Sequence, residues 1–241
     1  MSTTPVFAEA PTPSSPARRE VAFVDTSVND WQTLVEGIQP GIEVVLLDGS
    51  GDGLAQMAEW AATHSGYDAI HVLSHGTAGQ VRLGTATLDA AALTARAAEL
   101  TQLGAALNAD GDLLFYGCNV AAGQVGVEFV QRLAQVTVAD VTASDDRTGS
   151  TKFNGDWRLE VASGEIEATP LESSSFSGIL AQVEFSGDTG TVTDATVGEA
   201  GPKSPITMTI GSDTLSIVST DNTMYLDTAD NLGDGPTGMS V

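Results

Sequence analysis

Apolar residues fall in short runs, and between the runs they recur at helical spacing. Val21-Ala22-Phe23-Val24 is such a run, too short for a helix and apolar throughout, so it reads as a buried strand. Trp31, Leu34, Val35 and Ile38 then mark one helix face, which Gly37 and Pro40-Gly41 bring to a stop. The alternation continues with a buried strand over 42–47, a helix over 54–62, a strand over 69–73, an Ala/Leu-rich helix over 88–103, a strand over 113–116, a helix over 125–136 and a strand over 138–143. Gly79-Gln80-Val81-Arg82-Leu83-Gly84 reads as a hairpin before the long helix, and Asn108-Ala109-Asp110-Gly111-Asp112 as a polar turn before the 113–116 strand. Past residue 150 the helical pattern ends, and residues 156–161 with 164–167 predict a closing β-hairpin.

Apolar strands alternating with amphipathic helices specify an α/β fold with a mostly parallel sheet covered on both faces. Residues 1–19 hold four prolines among Ser, Thr and Ala and read as a disordered leader. The α/β domain spans 20–180, ending in a Ser-rich hinge at Ser173-Ser174-Ser175-Phe176-Ser177-Gly178. Residues 181–241 are rich in Thr, Asp and Gly, with alternating segments such as Ile206-Thr207-Met208-Thr209-Ile210, and read as a β-rich tail that begins a second module.

Composition narrows the partners. With 9 Lys+Arg against 32 Asp+Glu, the formal net charge is −23, a field that repels phosphate backbones and anionic lipid. Nucleic acid is therefore not expected as a partner. No stretch has the roughly 18–20 apolar residues that span a bilayer, and membrane insertion is not expected. The N-terminal residues lack an apolar core after a basic start, so no classical signal peptide is read there. The single cysteine, Cys118, excludes an intramolecular disulfide.

That cysteine and one histidine carry the candidate chemistry. Ser74-His75-Gly76 and Tyr116-Gly117-Cys118 each sit at the carboxyl end of a predicted parallel strand, where α/β sheets collect their catalytic groups. A thiol becomes a nucleophile when an imidazole takes its proton, and acyl transfer also needs N–H donors around the developing oxyanion. His75 as acid/base, Cys118 as nucleophile and the amides of Gly76 and Cys118 as oxyanion hole make a complete minimal set. The competing reading is a small buried thiol and a structural imidazole. An open cleft holding both groups favours the first, and a buried Cys118 favours the second.

A strand ending in His-Gly, a hairpin, a helix and a strand ending in Gly-Cys resembles the layout of the caspase-like cysteine peptidases. The resemblance implies a three-layer α/β/α sandwich and a polypeptide substrate, the chain itself among the candidates, with no cofactor required. Leu73-Ser74-His75-Gly76, Leu114-Phe115-Tyr116-Gly117-Cys118-Asn119-Val120-Ala121, Ala143-Ser144-Asp145-Asp146-Arg147-Thr148-Gly149 and Gly155-Asp156-Trp157 are similar, over about residues 20–180, to the domain family DUF4347. That family implies placement near the front of large bacterial surface or adhesin-like proteins. A secreted or cell-surface location follows from it, with a cytoplasmic one as the alternative. The caspase motif Gln-Ala-Cys-x-Gly is replaced here by Tyr116-Gly117-Cys118-Asn119, so caspase specificity does not carry over.

Two specificities are open. Asp145 and Asp146, just past the 138–143 strand, suit a substrate with a basic residue before the cut, or else pair with Arg147. A cut at the apolar Leu180-Ala181 would part the domain from its tail. Asp48, Ser50, Asp52 and Glu59, around a turn at Gly53, have the spacing of a calcium loop, although strand and helix flank it and a turn with Asp48 and Asp52 as caps explains it as well. His71 lies on a strand, about 13 Å from His75 by strand rise, too far to share an ion. His64 falls at a helix end, and both read as structural.

Overall fold

The computed structural model describes residues 18–181 throughout, and beyond them only the backbone of five short strands (Glu184–Ser186, Thr191–Asp194, Ile206–Ile210, Asp213–Ile217 and Gly238–Ser240). The leader expected over 1–19 lies outside the described residues except for Arg18 and Arg19, and most of the tail does too.

Within 18–181 the order is β1 (Glu20–Asp25), α1 (Trp31–Gly37), β2 (Glu43–Leu47), α2 (Gly53–Ala61), β3 (Tyr67–Leu73), β4 (Gly76–Thr77), β5 (Gln80–Leu83), β6 (Ala86–Leu88), α3 (Ala90–Ala95), α4 (Ala97–Gly104), β7 (Leu107–Tyr116), α5 (Gly123–Thr137), β8 (Asp140–Ala143) and β9 (Val161–Ser163). Six strands form the central sheet in the order β2-β1-β3-β7-β8-β9. All pair in parallel except β8 with β9. A separate antiparallel sheet, β4-β5-β6, stands over the carboxyl end of β3.

The pleat divides the apolar runs between two cores. Val21, Phe23, Ile70, Val72, Leu113 and Phe115 face one core, covered by α2, α3, α4 and α5. Ala22, Val24, Ala69, Leu73, Leu114 and Tyr116 face the other. There the cover is α1 together with irregular chain, including Leu171, Phe176, Ile179 and Leu180. The fold is mixed α/β with a mostly parallel sheet flanked by helices, and the second outer layer is mainly coil rather than helix. The segment that completes this layer also closes over the candidate site.

Local readings differ from expectation in four places. The 42–47 strand is not buried: β2 is the sheet edge, and Val44 and Leu46 are 36% and 47% exposed. The 88–103 helix is broken at Arg96, whose guanidinium is drawn to Asp52 at 2.8 Å as well as to Glu99. The polar turn at 108–112 is instead part of β7, which runs back to Leu107 with a register irregularity against Tyr67–Ala69. The closing hairpin does not form. Only β9 pairs with β8, and Glu167 and Ala168 instead donate their N–H groups to Asp112.

Candidate active site

The two strand ends meet as the spacing implied. β3 and β7 are neighbours with Leu73 opposite Tyr116, which places His75 and Cys118 on adjoining turns at the carboxyl edge. The turns lie so close that a side chain on Gly76 would clash and one on Gly117 would be tight. A Cβ on Gly76 would lie 2.4 Å from Val120 Cγ2, and one on Gly117 would lie 3.1 Å from the Gly76 nitrogen. Each turn is also pinned by its neighbours. Arg82 N–H donates to the His75 carbonyl at 2.9 Å, Gly79 N–H to Val120 and Ala121 N–H to Ser144.

Asp25 is a member of this site that sequence reading missed. It ends β1, is fully buried, and accepts from Ser27 N–H, the Ser74 hydroxyl and Gly84 N–H at 2.7–2.8 Å. Ser74 precedes His75, so the carboxylate fixes the turn that carries the imidazole. A buried Asp at the end of an apolar strand is the signal that marked it, since such a group survives only with donors around it.

The decisive contact is made by main chain. Gly76 N–H and Cys118 N–H, the two expected oxyanion donors, both donate to one oxygen, the carbonyl of Leu180, at 3.0 and 2.9 Å. Donors to a transition-state oxyanion sit at about 2.7–3.1 Å. The chain delivering that carbonyl lies between the two turns like an added strand. Ser150 N–H donates to Gly178 O, Leu180 N–H donates to Thr148 O, and isolated bridges join Gly149 to Ile179 and Gly76 to Ala181. Gly149 permits this approach, because its φ of 133° is in the glycine region and a Cβ there would lie 2.5 Å from Gly178 O.

Cys118 is fully buried in the same apolar cluster as Leu180, and its thiol donates weakly to Thr148 O at 3.6 Å. This is not the open cleft that would favour the catalytic reading from sequence alone. Burial pushes the thiol up to about 12, offset in part by the hydrogen bonds to Thr148 and Leu180. A free thiol titrates near 8.5, so at pH 8 the thiolate fraction falls by roughly a thousandfold. Iodoacetamide is accordingly expected to modify Cys118 of the intact chain about a thousandfold more slowly than free cysteine at pH 8. The rate should climb with pH up to about 12, and fast modification at pH 8 would contradict this burial.

The remaining candidates are placed as follows. Asp145 is exposed, and its N–H donates to Glu160. Asp146 exchanges hydrogen bonds with Ser144, and its carbonyl accepts from Asn119 N–H. Its carboxyl is raised by burial and by Glu160, Asp156 and Asp145. Asp146 is near enough to the thiol for its charge to act on Cys118. Asp52 caps α2 through Ala55 N–H and pairs with Arg96, while Asp48 caps no helix and accepts instead from Ser50 within the turn. Asp48, Asp52 and Glu59 do not converge. Among the described residues the carboxylate groups that do are Asp112–Asp140–Glu167 and Asp146–Asp156–Glu160. His71 lies in a buried chain from Glu20 to the Tyr116 hydroxyl, which accepts from Leu171 N–H and so ties down the covering segment. His64 stacks on Trp60 just beyond α2.

A family model, "Domain of unknown function (DUF4347)", matches residues 21–180, about two thirds of the chain. The chain belongs to the DUF4347 family. No curated protein and no solved structure matches it. The DUF4347 match ends at Leu180, the residue whose carbonyl occupies the two amides. Among the described residues no helix is long and apolar enough to cross a membrane.

Proposed function

We propose that the DUF4347 domain is a caspase-like cysteine peptidase acting on polypeptide, with its own chain as a substrate. Cys118 is the nucleophile, His75 the acid/base, and the amides of Gly76 and Cys118 stabilise the tetrahedral oxyanion. The observation carrying this reading is the convergence of those two N–H groups on a single peptide carbonyl beside the thiol. Two preorganised donors on one carbonyl oxygen hold the charge that appears there when a nucleophile adds. The raised thiol makes the imidazole indispensable, because Cys118 must lose its proton as it attacks.

Processing that depends on Cys118 is the test. The full chain, incubated and followed by intact mass, is expected to yield two fragments, and Cys118→Ala and His75→Ala each to abolish them. Fragments that form equally in Cys118→Ala, or a wild-type chain that stays whole, would refute the peptidase. The burial of Cys118 favours a second reading, a non-catalytic module at the front of a large adhesin-like surface protein. That reading expects no processing in any variant.

A further inference from the structure

We infer that the bond cut is Leu180–Ala181, and that the cut is made once, within the chain that carries it. This rests on the peptidase reading above and names its substrate. Residues 178–181 are bound as an extended peptide substrate is bound, by main-chain pairing on both sides. Leu180 is fully buried in the apolar cluster that also holds Leu73, Tyr116, Phe176 and Cys118, an apolar seat for the side chain that precedes the cut. This apolar seat suits Leu180 itself, whereas the basic residue that Asp145 and Asp146 suggested would bury its charge among apolar side chains.

The chemistry balances without a further co-reactant. Cys118 Sγ bonds to the Leu180 carbonyl carbon while its proton passes to His75. The Leu180–Ala181 C–N bond breaks, and His75 returns the proton to the Ala181 nitrogen. Water then adds to the thioester carbon and the thiol regains its proton, leaving a Leu180 carboxylate and a free Ala181 amine. The new carboxylate stays between Gly76 N–H and Cys118 N–H, held by the Gly178 and Leu180 pairings that the cut does not remove. The domain therefore blocks its own site after one turnover.

Ala181→Pro tests the bond, since the proline ring crowds the scissile nitrogen. The bridges at Ile179 and Ala181 on either side of Leu180 place the chain in the strand-like setting that a residue before proline favours. Intact mass and N-terminal sequencing of the wild-type chain should give a fragment beginning at Ala181. Ala181→Pro should keep its thermal melt and near-UV spectrum and lose at least about 90% of the product. The half-time should not change over a tenfold dilution, and an added peptide spanning 176–185 should not be turned over. A Cys118-dependent fragment with another new N-terminus overturns the bond but leaves the peptidase standing. A half-time that shortens with concentration, or turnover of the added peptide, overturns the single intramolecular cut. Absence of any Cys118-dependent fragment overturns both. If Ala181→Pro misfolds, the new N-terminus of the wild-type fragment decides the bond by itself.

Discussion

Gly149→Ala is expected to open the site, raising the alkylation rate of Cys118 at pH 8 by tenfold or more while slowing self-processing by a similar factor. The backbone at 149 has φ 133°, which an alanine adopts only under strain, and the added Cβ would lie 2.5 Å from Gly178 O and 2.9 Å from Ile179 Cα. The alanine pushes the 178–181 strand off its seat and draws the Leu180 carbonyl away from the two amides. Full departure of the strand forfeits main-chain hydrogen bonds worth about 1 kcal/mol each and re-exposes Ile179 and Leu180 at about 2 kcal/mol apiece. Those contacts come to about 8 kcal/mol, so a strain of a few kcal/mol leaves the covered state in the majority but raises the uncovered population. About 1.4 kcal/mol already gives a tenfold rise in alkylation. Gly123→Ala is the control: its φ is also positive, at 62°, but nothing lies within 4 Å of a Cβ there, so it should cost only about 1 kcal/mol and leave Cys118 covered. Equal alkylation rates in the two variants would mean that residues 178–181 do not shield the thiol.

The same contacts explain what could be read from the chain. β1, β3 and β7 were legible because their runs are apolar on both faces, as strands inside a covered parallel sheet must be. β2 has the same run but pairs on one side only, and burial at an edge is decided by what covers it. The break at Arg96 depends on Asp52, and the extension of β7 over polar residues depends on Arg18, Glu167 and Ala168 around Asp112. Local propensity contains none of these distant partners. His75-Gly76 and Gly117-Cys118 stood out because each sets a reactive group beside a glycine at a strand end, and the glycines let the two turns approach closely. The Leu180 carbonyl did not. Any residue offers a carbonyl, and only the folded chain shows which one reaches the two amides.

The other large effect is expected at Asp25, which meets the turn bearing His75 through Ser74. Asp25→Ala removes the acceptor of Ser27 N–H, the Ser74 hydroxyl and Gly84 N–H at a fully buried site. Each donor left without a partner costs about 1–3 kcal/mol, so a loss of about 4 kcal/mol and a large fall in melting temperature are expected. Asp25→Asn is the sharper variant because it keeps the volume. Its amide nitrogen replaces one acceptor with a donor, and whichever way it turns, it faces at least one N–H or O–H that it cannot accept. The strain passes to Ser74, whose hydroxyl also reaches Arg82 O, and from there to the turn bearing His75. Below its melting transition Asp25→Asn should therefore process Leu180–Ala181 at least about tenfold more slowly, with Cys118 still slow toward iodoacetamide because the covering strand is untouched. Normal processing in a folded Asp25→Asn chain would show that Asp25 serves stability alone. Slow processing with the thiol still covered would assign it the positioning of His75, an effect that simple loosening of the fold would not produce.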